Sequence, residues 1–490
     1  MPTGPRAVVL LAAIVVLGGV LRWSAMQATY PVVTIGDENY YAMTALQIAR
    51  GRGHVNGTSA EASRAWRPPA HSYLLSLLAD PQVSSLNEFT TPAFVRPMLL
   101  LQVVLSSALV ALTALLGHAL FDTRVGLVAG LIAALYPALI AHSHYLWSET
   151  LFSLLVTAAL LGVVLVARER RWGGVVFTGL SFGVAALTRE VALPVAAVAA
   201  FWWWWTARPE AAQRAASPKG AQRGRAERRR APARGAERSR TERAGQRRRA
   251  ALQGAAMLAL ALLLIVPWTV RNHRVLGRFI PVSTVGWFAA GEGNTLEHPD
   301  WLRPTGPRQS RFALTYFKIP SEVDRLDFAR RQTLERIAAE QPAWILKKTL
   351  RNLAQLGSPD SVLLYKLRRG AYGDVPAGIE RTAAVVSIAS YALVFIAGVL
   401  GIATARGTGR RLLPCLVIGV VAGLHVVANA TARFRVPWLP LLIVYGSYAL
   451  THAPALSRQL RRRRWIAPAA VLLFFFAACV PYLFVYGGRR

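Results

Sequence analysis

A chain of 490 residues that is 54% hydrophobic and yet carries a formal net charge of +33 is neither an ordinary soluble globular domain nor an acidic disordered one. Apolar runs of membrane-spanning length recur along it, so the expected fold class is an all-α polytopic membrane protein. Two cysteines, Cys415 and Cys479, both lie in apolar runs; they imply no disulfide framework and read as small buried apolar residues.

In chain order, about eleven candidate spans lie near 7–23, 94–118, 125–141, 145–167, 173–189, 190–206, 251–270, 382–404, 411–428, 435–451 and 466–486. The first follows Arg6 as a signal peptide would, but no small-x-small cleavage site succeeds it, and it reads as an uncleaved anchor. Basic clusters at Arg168–Arg171, 207–250, Arg406–Arg411 and Arg458–Arg464 share one side if the N-terminus is cytoplasmic, as the positive-inside rule requires. That orientation puts Asp37, residues 142–149, 271–381 and 429–435 on the extracytoplasmic face of the cell membrane.

Three zones follow. Residues 1–270 hold seven spans and a first outer loop at 24–93; residues 271–381 form an extracytoplasmic insertion too long for a simple connection; residues 382–490 add four spans. Within the first loop, 37–50 suits a short amphipathic helix with Tyr41, Ala45 and Ile48 on one face, broken by Gly51, Gly53 and Gly57. The short apolar stretch 73–79 is expected to be interfacial. In the insertion, 322–340 and 343–356 read as helices, and Trp344, Ile345, Leu350 and Leu353 suit the membrane surface.

The segment 207–250 has fifteen Lys/Arg against four Asp/Glu in an Ala, Gly, Gln, Ser and Pro background, and is expected to be a disordered cytoplasmic loop. Such charge alone attracts phosphate of any sequence. The segment has no aromatic residue for base stacking and joins two spans, so it reads as a topology determinant touching anionic lipid. No nucleic-acid partner is expected.

The chemistry-bearing residues gather at the predicted outer ends of the spans. Gly36-Asp37-Glu38-Asn39-Tyr40-Tyr41 follows the first span by about a dozen residues and sets an acid or base against a lipid-borne substrate. Two aromatics, Tyr40 and Tyr41, follow the two carboxylates. Glu149, at the start of a span, is costly there without a partner. It is either a structural carboxylate paired with an arginine or a second acidic position beside Asp37. Arg67, Arg96, Arg189, Arg271, Arg433 and Arg435 run against the charge bias of the outer face. Guanidinium groups pair with phosphate through two parallel hydrogen bonds, so a phosphate on a long isoprenoid fits them; snorkelling to ordinary headgroups is the alternative. His142 and His144 are weak evidence for a metal and read as surface histidines.

In this order the motifs resemble the GT-C class of integral-membrane glycosyltransferases, specifically the protein O-mannosyltransferase and aminoarabinose-transferase relatives of family 39. The residues that carry the resemblance are Gly36-Asp37-Glu38-x-Tyr40-Tyr41, Arg67-Pro68-Pro69, Ser148-Glu149-Thr150 and Gly179-Leu180 to Thr188-Arg189. Pro267-Trp268-x-x-Arg271-Asn272, Gly277-x-Phe279-x-Pro281 and Ala432-Arg433-Phe434-Arg435-Val436-Pro437-x-x-Pro440 complete the series. It covers roughly residues 30–440, with 207–250 as the clearest departure.

The resemblance implies transfer of a hexosyl or pentosyl group from a polyprenyl-phosphate-linked donor to an extracytoplasmic protein, glycan or lipid, with inversion. It makes Asp37 the general base, with Glu38 either assisting and orienting it or a solvated neighbour, Glu149 the second acidic position, and the arginines at 67, 189, 271, 433 and 435 the holders of the donor phosphate; Tyr40 and Tyr41 either pack the acidic helix or stack on a sugar face. Some members of the class need a divalent metal and others do not, which leaves the metal open. A transporter or flippase for an anionic lipid would also place cations and carboxylates at a membrane face. The chain shows no internal repeat of the kind such proteins carry.

Overall fold

A computed structural model describes residues 4–29, 36–59, 61–83, 92–169, 171–207, 233–294, 310–359, 361–368, 370–452, 469–473 and 475–477. Among these residues helix dominates and no β-strand occurs. Among the described residues, six helices are long and apolar enough to cross a membrane: Pro5–Ala28, Phe94–Leu120, Glu149–Glu169, Ala244–Leu276, Ala377–Thr404 and Gly409–Val427. Three shorter apolar helices, Thr123–Leu135, Trp172–Thr188 and Ala192–Thr206, lie among them. The chain is a multi-pass, all-helical membrane protein. These lengths do not establish the expected count of eleven, and most of the stretch expected at 466–486, with Cys479, falls outside the described residues.

Two departures from expectation have local causes. The stretch 125–141 is not one helix: Thr123–Leu135 stops at Tyr136 and a new helix, Pro137–His142, begins. Proline has no N–H to return to the preceding turn, so carbonyls at the helix end go unpaired. Arg22, buried in the first span, donates to the Ala133 and Ala134 carbonyls at 3.0 and 3.1 Å, and its Nε donates to Ser106 at 2.7 Å. The basic loop is also shorter than expected, because Ala233–Leu276 forms one helix. Ala, Arg, Glu and Gln are good helix formers and extend the membrane helix outward from its apolar part. Residues 208–232 of that loop lie outside the described residues.

Small residues let the helices approach closely, as membrane bundles require. A Cβ at Gly401 would stand 1.9 Å from the Tyr445 carbonyl oxygen, so Ala377–Thr404 lies directly on Leu439–Thr451. Cys415 faces outward from its helix instead of being buried.

The first-loop helix, Asp37–Ala49, buries Tyr41, Ala42, Ala45 and Leu46 against Met26, Leu75, Met98 and Leu146. Ile48, expected on the same face, is only half-buried, because the stripe follows residues 41, 42, 45 and 46. Helix Ala70–Ser76 follows, leaving Tyr73 and Leu77 exposed.

Residues 271–381 contribute helices Val285–Asn294, Arg311–Lys318, Glu322–Ala339, Ala343–Gly357 and Val362–Arg368. In Ala343–Gly357, Trp344 turns inward while Ile345 and Leu350 are exposed.

Candidate active site

Each carboxylate of the site opens a helix. Asp37 and Glu38 occupy the first turn of Asp37–Ala49, and Glu149 begins Glu149–Glu169. Unpaired N–H groups at a helix start favour negative charge. Arg189 follows the last residue of Trp172–Thr188, where the dipole favours a cation. Arg67 comes from the first loop, and Arg433 from a single 3₁₀ segment, Ala432–Trp438.

Five of these six residues, all but Glu38, meet in one ion-pair network. Arg67 reaches Asp37 Oδ1 at 2.5 Å and Arg433 reaches Asp37 Oδ2 at 2.8 Å. Arg189 binds Glu149 at 2.6 Å, and Arg433 Nε lies 3.5 Å from the same Glu149 oxygen. Arg433 therefore bridges the two carboxylates. Three guanidinium charges against two carboxylates leave one positive charge in excess. Side-chain exposure separates the acids: Glu149 is 2% exposed, whereas Asp37 is 22% exposed. Burial alone would push the Asp37 carboxyl up, but Arg67 and Arg433 outweigh it and hold the group well below the usual carboxylate range.

Glu38 is no solvated neighbour. It is buried, receives the Lys366 ammonium at 2.6 Å and accepts the Leu146 N–H at 3.1 Å. Three more groups hold the segment that leads into Glu149. His71 Nε2 donates to the Leu146 carbonyl at 3.1 Å, and Gln102 donates to the Trp147 carbonyl at 3.1 Å. Tyr41 donates its hydroxyl to Ser148 at 3.1 Å and is buried. Tyr40 is partly buried and packs toward Trp66 and Tyr316.

Sequence reasoning missed Lys366. The signal was a lysine inside the apolar run Val362-Leu363-Leu364-Tyr365-Lys366-Leu367, which only a buried carboxylate or aromatic face would tolerate. The structure supplies both, since the ammonium also sits 4.0 Å from the centre of the Tyr145 ring.

Two of the expected phosphate-binding arginines lie apart from the network. Arg271 donates to the carbonyls of Arg64 at 2.7 Å and His54 at 3.0 Å, and stacks on Trp268. Arg435 is buried, donates to the carbonyls of Leu356 and Ser358, and lies 3.7 Å from the Tyr391 ring centre. Arg96 is exposed. The neighbouring motif residues hold one turn: Trp268 donates to the Val282 carbonyl, Thr269 to Pro281, and Asn272 to Ile280 and Val282. Gly277, at φ +66°, allows the chain to reverse there.

His142 and His144 are buried, contrary to expectation. His142 Nδ1 donates to the Ala138 carbonyl at 2.7 Å, and His144 Nε2 lies 3.0 Å from the Tyr372 hydroxyl. Among the described residues no group of three or more His, Cys, Asp or Glu side chains has metal-holding geometry.

Comparison with known proteins agrees with this fold. The sequence model of the dolichyl-phosphate-mannose-protein mannosyltransferase family matches residues 67–218, a stretch that includes Arg67, Glu149 and Arg189 and excludes Asp37. No curated protein matches the sequence. The oligosaccharyltransferase AglB of Archaeoglobus fulgidus, solved with an inhibitory peptide and a dolichol-phosphate, is 13% identical over 97% of this chain and 55% of its own, with a TM-score of 0.51. The protein O-mannosyltransferase Pmt1-Pmt2 complex of S. cerevisiae is 16% identical over 55% of this chain and 34% of its own, with a TM-score of 0.38. ArnT of Cupriavidus metallidurans, bound to undecaprenyl phosphate, is 15% identical over 91% and 79%, with a TM-score of 0.37.

The fold is similar to that of the archaeal oligosaccharyltransferase, and residues 67–218 match the mannosyltransferase family model. The chain spans about half the length of the archaeal oligosaccharyltransferase it matches.

Proposed function

We propose that this protein is a membrane glycosyltransferase that moves a sugar from a polyprenyl-phosphate donor to an acceptor at the extracytoplasmic face, with inversion. The observation that carries the reading is the network in which Arg433 joins Asp37 to Glu149 and leaves one positive charge in excess. A phosphodiester brings one negative charge to that excess. A second negative charge develops as the sugar departs, so preplaced guanidiniums bind the transition state more tightly than the donor.

Asp37 is the general base. It is the more exposed carboxylate of the network, and its ionised form is favoured. The acceptor atom attacks the anomeric carbon as Asp37 takes its proton; the bond from that carbon to the phosphate oxygen breaks, and polyprenyl phosphate leaves with the electron pair. One arginine contacts each Asp37 oxygen and leaves a lone pair on each for the acceptor's proton; a donor phosphate that draws a guanidinium away makes the carboxylate a stronger base. Glu149, sealed beneath Arg189 and Arg433, fixes those cations. Arg67, Arg189 and Arg433 hold the phosphate, and Glu38 orients Asp37 from the adjacent helix position.

The test is mass spectrometry of lipids co-purified with Asp37→Asn beside wild type. A polyprenyl phospho-sugar retained by the variant supports the transferase and gives the sugar's mass. Ordinary phospholipid in both samples, with wild type unable to cleave any polyprenyl-phosphate sugar, would favour a transporter of anionic lipid.

A further inference from the structure

The four residues before Arg67 are held by side chains from distant parts of the chain. Arg325 donates to the Ser63 hydroxyl at 3.0 Å. The Glu322 carboxylate accepts the Arg64 N–H at 2.6 Å and the Ala65 N–H at 3.1 Å. The Arg64 carbonyl accepts from Arg271 at 2.7 Å, and the Ala65 carbonyl accepts the Thr284 N–H at 2.8 Å. The Trp66 ring packs edge-on against Phe288, at 4.9 Å between centres. Every backbone donor and acceptor of Arg64 and Ala65 is therefore engaged, and two residues further on stands the arginine that meets Asp37.

We infer that Glu322 is a positioning residue for Arg67, acting through the Arg64–Ala65 backbone and coupling the outer helices to the donor-phosphate site. The inference rests on the proposed function for what Arg67 binds. Glu322 opens helix Glu322–Ala339 and is buried. Its carboxylate faces two backbone N–H groups and the Thr284 hydroxyl, which donates at 2.8 Å. Three donors converging on one group require a side chain that only accepts. An amide of the same shape would turn an NH₂ toward one of them. Losing that bond loosens the peptide that sets the height and direction of Arg67. Arg271, placed among the phosphate binders by sequence, serves the same segment from its other edge.

The experiment is a double-variant cycle on binding of polyprenyl phosphate to the full-length protein in detergent, with thermal unfolding measured in parallel. Glu322→Gln is expected to weaken binding about tenfold, the size expected from one hydrogen bond to a charged group. It should also raise the donor KM more than it lowers kcat. Arg67→Ala should abolish that sensitivity, so that the double variant binds no more weakly than Arg67→Ala alone. Thr284→Val, which removes one donor to Glu322 and keeps the Thr284 N–H bond, should give a smaller loss with the same dependence on Arg67. It stands in if the glutamine variant does not fold. Losses that add to those of Arg67→Ala, or unfolding shifts with unchanged binding, overturn the inference. Wild type that binds no polyprenyl phosphate overturns the proposed function itself, and the inference with it.

Discussion

Glu38 and Lys366 stand 328 positions apart in the chain, yet their charges meet at 2.6 Å where solvent does not reach either side chain. The pair ties the helix Asp37–Ala49 to the helix Val362–Arg368 directly beside Asp37. Removing one partner of a buried pair leaves the other charge stranded, at a cost of about 3–5 kcal/mol. Glu38→Gln and Lys366→Met should each lower the unfolding temperature clearly. The double variant should recover part of the loss, because the introduced amide would still accept the Leu146 N–H. Purely additive losses in thermal unfolding would show that the pair is not coupled.

Arg433 and Arg435 are two positions apart and are expected to fail differently. Arg433 bridges Asp37 and Glu149, so Arg433→Ala should reduce turnover about 100- to 1,000-fold. Arg433→Lys should restore little, because an ammonium cannot span two carboxylates as a guanidinium fork does. Arg435 secures the carbonyls of Leu356 and Ser358, so Arg435→Ala should lower stability while kcat stays near wild type. Steady-state kinetics with parallel unfolding curves would separate the two; equal kinetic loss would place Arg435 in the proposed phosphate site.

Acid should loosen the segment that leads into Glu149. Burial lowers His71 to about 4, with its hydrogen bond to Leu146 opposing only part of that shift. In the unfolded chain the ring takes a proton near 6.5. Below that value the unfolded state binds more protons, so stability is fully present above about pH 6.5 and falls as the pH drops toward 4. The shift corresponds to about 3 kcal/mol. His54 and His144, lowered to about 4 and about 3 by burial, act in the same direction. His71→Gln, which keeps a donor for the Leu146 carbonyl, should flatten the dependence of urea unfolding on pH between 6.5 and 4. An unchanged slope would mean that His71 is already charged in the folded protein.

The acidic motif was legible because its causes are local. Glu149 begins an apolar run and Arg189 ends one, so hydropathy marks them as charges at span ends, while Asp37-Glu38, about a dozen residues past the first run, is marked by two adjacent carboxylates followed by two tyrosines. Other readings failed where a neighbour outside the local window decided the outcome. His142 and His144 looked like loop residues, yet other parts of the chain cover them. Arg271 looked like a phosphate ligand, yet carbonyls of the first loop claim it.

The membrane class, the helical architecture and the set of charged residues at span ends follow from the order of amino acids alone, because apolar runs and uncompensated charges must obey the bilayer wherever the chain goes. Which charge meets which is a matter of packing: Arg433 with both Asp37 and Glu149, Lys366 with Glu38, Glu322 with the peptide before Arg67. Coulomb attraction falls with separation in space and takes no account of separation along the chain. Residues that lie hundreds of positions apart become partners only when the helices that carry them pack.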